Sequence, residues 1–179
     1  MKQAVFLDRD GTINREVGFL SDPDMLELLP GVVEAIKMLN ENGWLVVVVS
    51  NQSGIGRGYF TREMVKRVHQ RVRDMLADQR VCLDAIYYCP HRPDAGCDCR
   101  KPEIGLLRQA VADFGIDLSR SYVVGDKPSD MEMGHRAGCG TVLVLTGYGG
   151  GTQDRITHVD FVAPDLCSAV HWILREEQR

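Results

Sequence analysis

The chain has 179 residues, 44% of them hydrophobic and 26% charged, which suits one well-buried core and leaves little for a second. A formal net charge of −4 argues against non-specific nucleic-acid binding, which needs a basic surface to displace counterions from phosphates. The longest apolar runs, "LVVVVS" and "TVLVLTG", fall far short of a membrane span, and no basic stretch with an apolar run and cleavage site opens the chain, so a cytoplasmic location is expected.

In chain order, the apolar, β-branched run "AVFLD" reads as a first strand. After Pro30 and Gly31 the stretch "VVEAIKMLNENG" has helical spacing and is closed by Gly43. The run "WLVVVVS" is a second strand, and Met64, Val65, Val68, Val72, Met75 and Leu76 mark a helix between Thr61 and Gln79. "AIYYC" is a third strand, followed by a helix expected from Pro102 in its first turn to Gly115. "SYVVGD" is next, then a helix starting at Ser129, where Ser129 and Glu132 have capping-box spacing. "TVLVLTG", the glycine-rich "TGYGGGTQD" expected as a mobile surface loop, the weaker "DFVAP" and a helix from Leu166 to about Glu177 complete the pattern. Strands apolar on both faces and alternating with helices imply a doubly wound, Rossmann-like α/β fold with a central parallel sheet, in one domain over residues 1–179.

In such sheets, ligands bind outside the carboxyl ends of the strands, and the polar residues collect there. Asp8 ends the first strand, Ser50 the second and Asp126 a later one, while Lys101 lies just before a helix. Two neighbouring carboxylates repel unless a cation lies between them or one is protonated. Asp8, Asp10 and Asp126 offer the hard oxygen ligands that suit Mg²⁺. A carboxylate can also attack, and a second acid two residues on, past a turn allowed by Gly11, can donate a proton. With the Ser50 hydroxyl and the Lys101 ammonium added, the set has the parts needed for phosphoryl transfer.

"DRDGT", "SNQSG", "RKP" and "GDKPSD", in that order between residues 8 and 130, resemble the four motifs of the haloacid-dehalogenase (HAD) superfamily of phosphatases. The resemblance implies that Asp8 forms an aspartyl-phosphate, that Asp10 protonates the leaving alkoxide and then activates water, and that Ser50 and Lys101 stabilise the transferring group. It further implies that Mg²⁺ is held by the Asp8 carboxylate, the Asp10 backbone carbonyl and Asp126. Asp130 supports Lys101 or the metal waters, or is an acid favoured by the helix dipole.

Six cysteines invite a disulfide reading, but Cys89, Cys97 and Cys99 crowd one stretch, "CPHRPDAGCDCRKP", while Cys82, Cys139 and Cys167 lie in apolar contexts. Cys89, His91, Cys97 and Cys99 form a closed zinc set, structural rather than catalytic. A zinc loop over about residues 89–99 would fix the position of Arg100 and Lys101. The loop narrows the resemblance to the zinc-loop, histidinol-phosphatase-like group of that superfamily. "SNQSGIGRGYF", "IYYCPH", "CDCRKP" and "VGDK" are most similar to its heptose-bisphosphate phosphatases. In these, the positions matching Glu16, Val17, Gly18, Phe19, Asn51, Gln52, Ser53, Arg100 and Lys127 surround the substrate. A sugar bisphosphate gives Arg100 and Lys127 a physical role as cations for the distant phosphate. The loop between Cys-x-His and Cys-x-Cys is shorter than in some relatives.

The rival substrate is histidinol phosphate, and the rival of another class is a non-catalytic zinc-loop binding module, against which Asp8, Asp10 and Lys101 are all present. A DNA 3′-phosphatase is opposed by the acidic charge. No substantial insertion separates the motifs, so a capless, open site is expected; a monomer is the default expectation. His69, His135 and His171 read as packed or solvated, Arg57 as a loop cation near the site or in solvent, and Lys66, Arg67, Arg71 and Arg73 as an exposed helix face. Trp44 and Trp172 read as packing residues.

Overall fold

In the computed structural model, which describes residues 1–153, 156 and 158–177, six parallel strands form one sheet. They are β1 (Ala4–Leu7), β2 (Leu45–Asn51), β3 (Ala85–Cys89), β4 (Tyr122–Gly125), β5 (Gly140–Val144) and β6 (Phe161–Ala163). The helices are α1 (Val32–Glu41), α2 (Arg62–Ala77), α3 (Gly105–Phe114), α4 (Pro128–Ala137), the four-residue α5 (Gly149–Thr152) and α6 (Leu166–Glu176). The strand order is β3-β2-β1-β4-β5-β6, so the direction of winding reverses beside β1, where doubly wound sheets open a crevice for ligands.

Period-two alternation builds the two layers. Val5 and Leu7 of β1, with Val46, Val48, Val124 and Val142, face a core closed by α1, α2 and α6. Ala4 and Phe6, with Val47, Val49 and Val123, face the opposite core under α3 and α4. Register is fixed on both sides of β1, with Leu7 opposite Val48 of β2 and Val124 of β4. A one-residue slip would exchange the two faces, which both cores oppose. Trp44 is buried and Trp172 half-buried, as packing residues.

Three local expectations are corrected. Helix α3 starts at Gly105 rather than Pro102, because Arg100–Glu103 first closes a turn through Glu103 N–H to Arg100 C=O. Helix α4 is capped at Lys127, not Ser129: the Asp130 carboxylate at N3 accepts the Lys127 N–H at 3.1 Å, so the acid that closes the box lies two residues before Glu132. The glycine-rich stretch is tied down rather than free: Thr146 Oγ1 donates to Gly11 C=O at 2.6 Å, Tyr148 N–H donates to Asp126 Oδ2 at 2.8 Å, and α5 follows. Its last residue, Asp154, lies outside the described residues. Only a 3₁₀ turn (Pro23–Met25) and α1 lie between β1 and β2, and only α2 between β2 and β3, so no cap domain is inserted. Among the described residues, no helix is long and apolar enough to cross a membrane.

Candidate active site

The carboxyl ends of β1, β2 and β4 and the turn before α3 converge on a cavity of about 240 Å³. It is lined by Asp8, Asp10, Glu16, Gly18, Phe19, Ser50, Asn51, Gln52, Ser53, Arg100, Lys101, Lys127 and Ser129. All but Val17 and Asp126 of the substrate-side and catalytic residues read from the sequence therefore meet in one place. Val17, 47% exposed, is outside the lining, and Asp126 lies wholly buried beneath it. Arg57 is exposed and outside the lining.

Asp8 is held between two ammonium groups. Lys101 Nζ is 2.7 Å from its Oδ1, and Lys127 Nζ is 3.2 Å from its Oδ2. Burial alone would raise the Asp8 pKa, but the two lysines outweigh it and hold the carboxyl well below the usual range, so the group stays an anion. Lys101 also donates to Val49 C=O at 3.0 Å and pairs with Asp130 Oδ1 at 2.6 Å. Burial opposes its charge, yet Asp130 and Asp8 raise its pKa. Asp130 thus contacts the Lys101 ammonium with one oxygen and caps α4 with the other.

Asn51 and Gln52 turn out to hold the machinery in place. Asn51 exchanges two hydrogen bonds with the backbone of Lys101, at 3.0 and 3.2 Å. Gln52 Nε2 donates to Asp10 Oδ2 at 3.0 Å and to Ser50 Oγ at 2.8 Å, which leaves the Ser50 hydroxyl hydrogen free for an incoming oxygen. The Asp10 carboxylate is further gripped by Asn14 Nδ2 at 3.0 Å and by Arg9. Arg9 and Asn14 are functional candidates that sequence reasoning missed. The only signal was the lone basic residue between the two acids, and its burial could not be read from the chain.

Asp126 is wedged between two backbones. A Cβ at Gly11 (φ +92°) or at Gly147 (φ +55°) would lie 2.2 Å from its Oδ2, so both positions require glycine. Burial and the nearby Asp8 charge push the Asp126 pKa up to about 7. Around one point stand Asp8 Oδ2, the Asp10 carbonyl oxygen and Asp126 Oδ1, each 3.0 to 3.2 Å from the Lys127 ammonium. A cation seated on three hard oxygens shows that the donor set fits Mg²⁺. The structure places Lys127 at this inner point, with Glu16 Oε2 3.4 Å away, rather than at the outer end of the cavity. Arg100 does line the outer cavity, its Nη1 3.4 Å from His91 C=O. Phe19, half exposed at the rim, packs edge-on against Tyr59 with centroids 4.9 Å apart.

The four predicted zinc donors converge beyond β3. Cys89 Sγ is 3.1 Å from Cys99 Sγ and 3.6 Å from Cys97 Sγ, and His91 Nδ1 is 3.5 Å from Cys89 and 3.3 Å from Cys99. Zn–S bonds of about 2.3 Å would span tetrahedral edges of about 3.7 Å, so the cluster fits zinc with slight expansion. Burial disfavours the Cys97 thiolate, yet hydrogen bonds from Cys89 and Cys99 bring its pKa down to about 7. Among the remaining expectations, His69 is buried edge-on against Tyr88, His135 and His171 are exposed, and Lys66, Arg67 and Arg71 are solvated. Arg73 departs from that face, donating to Leu83 C=O at 2.7 Å.

Comparison with known proteins agrees with this arrangement. A HAD-hydrolase-like family model matches residues 98–169. The D-glycero-D-manno-heptose-1,7-bisphosphate 7-phosphatase of Thermosynechococcus vestitus is 41% identical, covering 96% of this chain and 95% of its own. The D-glycero-beta-D-manno-heptose-1,7-bisphosphate 7-phosphatase of Escherichia coli K12 is also 41% identical, covering 96% and 87%. The crystal structure of D,D-heptose 1,7-bisphosphate phosphatase from B. bronchiseptica, complexed with magnesium and phosphate, superposes with a TM-score of 0.91 at 37% identity, covering 98% of this chain and 99% of that one.

Proposed function

Because the chain belongs to the heptose-1,7-bisphosphate 7-phosphatases of the HAD-like hydrolases, we propose that residues 1–179, as one domain, hydrolyse the C7 phosphate of D-glycero-D-manno-heptose 1,7-bisphosphate and release heptose 1-phosphate. The observation that carries this reading is the pairing of a buried, ionised Asp8 with Lys101 at 2.7 Å in a cavity also lined by Asp10 and Ser50.

Asp8 attacks phosphorus, and the P–O7 bond breaks as Asp10 gives its proton to the leaving alkoxide. Asp10 then takes a proton from water, which opens the aspartyl-phosphate and restores Asp8. Lys101 and Ser50 donate to the phosphoryl oxygens as charge develops on them. Mg²⁺, held by Asp8, the Asp10 carbonyl and Asp126, supplies neutralising charge when bound. Gln52 keeps the acid and the phosphoryl-holding hydroxyl in one frame, since its amide touches both. Cys89, His91, Cys97 and Cys99 would hold zinc, which would fix the loop that carries Arg100 toward the distal phosphate. We place this chemistry in a cytoplasmic monomer, where a reducing compartment would keep the four zinc donors available for metal.

The test is phosphate release, followed by ³¹P NMR, from the α and β anomers of the bisphosphate and from histidinol phosphate, with Mg²⁺. Loss of the C7 signal with retention of the C1 signal is expected, and the β anomer, named for several relatives, is the first to try. Much faster hydrolysis of histidinol phosphate would transfer the function to the rival substrate.

A further inference from the structure

Lys127 follows Asp126 in the chain, and its side chain turns back into the acid cluster. Its ammonium sits 3.2 Å from Asp8 Oδ2, 3.0 Å from the Asp10 carbonyl and 3.1 Å from Asp126 Oδ1, the same three oxygens that suit the metal. Those oxygens cannot serve both at once, because Mg²⁺ draws its ligands to about 2.1 Å and would occupy the point the ammonium now fills. The ammonium meets the same need as the metal, since Asp8 and Asp126 repel each other without a cation between them. One contact shows where it can move. Glu16 Oε2 is 3.4 Å from Nζ on the cavity side, and its other oxygen is anchored by Gly18 N–H at 2.7 Å.

We propose that Lys127 and the divalent cation are alternative occupants of one site, and that metal entry hands the Lys127 ammonium to Glu16 and the cavity. The inference rests on the metal-dependent phosphatase reading above. It makes the metal and an anionic substrate cooperative: metal binding turns a charge outward that the substrate phosphate can use, and linkage requires the reverse effect to be equal. A lysine that only braced the acids would stay in place when metal bound.

Two measurements on the full-length, zinc-loaded protein test it. In a Mn²⁺ titration read by electron paramagnetic resonance, Lys127→Met removes the competitor and should bind Mn²⁺ on the order of tenfold or more tightly than wild type, because a positive charge at bonding distance from the site is gone. Reductive methylation of wild type, read by peptide mass spectrometry, avoids reliance on the variant. Lys127 should be protected without metal and be modified several-fold faster at saturating Mg²⁺, with the buried Lys101 slow in both conditions. Unchanged or weaker Mn²⁺ binding by Lys127→Met, or methylation of Lys127 indifferent to Mg²⁺, overturns the proposal. Asp126→Asn should lose Mn²⁺ binding. A wild type that binds no Mn²⁺ rejects the metal site itself, and the competition with it.

Discussion

Arg9 folds back along its own neighbour, Asp10: Nε lies 3.0 Å from Oδ1 and Nη2 2.8 Å from Oδ2, with Arg9 only 1% exposed. Arg9→Met therefore strands a buried carboxylate, and a stability loss of about 3–5 kcal/mol is expected in urea unfolding. If Arg9 also orients the proton donor, kcat should fall further for alkyl phosphates than for p-nitrophenyl phosphate, whose leaving group needs no proton. Equal falls on both would limit Arg9 to stability.

Asp8→Asn removes the attacking oxygen and should abolish turnover while leaving the melting profile cooperative. Asp10→Asn should lose about 10²- to 10⁴-fold on the heptose substrate. With p-nitrophenyl phosphate, this second variant should show a burst of nitrophenolate near one per chain, because attack by Asp8 outpaces the water step. Rapid-mixing absorbance checks it, and a linear trace from the first turnover would argue against the aspartyl-phosphate.

The Cys/His cluster predicts about one tightly held zinc per chain, separable from Mg²⁺. Cys97→Ser should retain less zinc by elemental analysis. It should also lower activity through the loop carrying Arg100 and Lys101, with KM rising more than kcat falls. Zinc-free protein, from cells supplied with zinc and never exposed to chelator, would contradict the site.

Asp126 gives a pH signature. Its folded-state pKa of about 7 stands above the ordinary 3.8, because of burial and then Asp8. Its contribution to metal-free stability is thus complete below about pH 4, declines as pH rises and is lost above about pH 7. Mg²⁺ needs the ionised form, so its affinity should strengthen over the same interval. Thermal melts with and without Mg²⁺ should diverge as pH rises, and Asp126→Asn should flatten both trends.

Arg100 lines the cavity outside the reacting acids, so Arg100→Ala should cost more in kcat/KM for the bisphosphate than for a monophosphate. The difference should be roughly 1.5–3 kcal/mol, the range for a charge-assisted contact. Equal losses would remove Arg100 from the distal phosphate.

The strands were legible because each is a short apolar run, and three of the reacting residues because each ends such a run. Asp8, Ser50 and Asp126 could be placed at one sheet edge by counting alone. What could not be read depends on directions a sequence does not encode. Lys127 has the charge for a distal phosphate, and only the geometry of β4 and α4 turns its ammonium inward. Asn51 and Gln52 line the cavity as expected, but their hydrogen bonds to Lys101, Asp10 and Ser50 depend on side-chain directions that the sequence does not carry. Helix α3 starts late because Lys101 must first bury its side chain against Asp8, a demand of the site and not of local propensity.

The sheet order also bears on how the protein is made. Asp8 meets Lys101 across 93 positions of chain and Lys127 across 119, since β1 is a central strand whose second partner, β4, is synthesised late. On the ribosome, the acids of the first strand emerge long before the groups that restrain them, and no fragment ending ahead of β4 holds the complete centre. Until β4 arrives, β1 is itself an edge with an open ladder. Interrupted translation therefore yields chains with the hazard of an exposed strand and none of the hydrolytic chemistry.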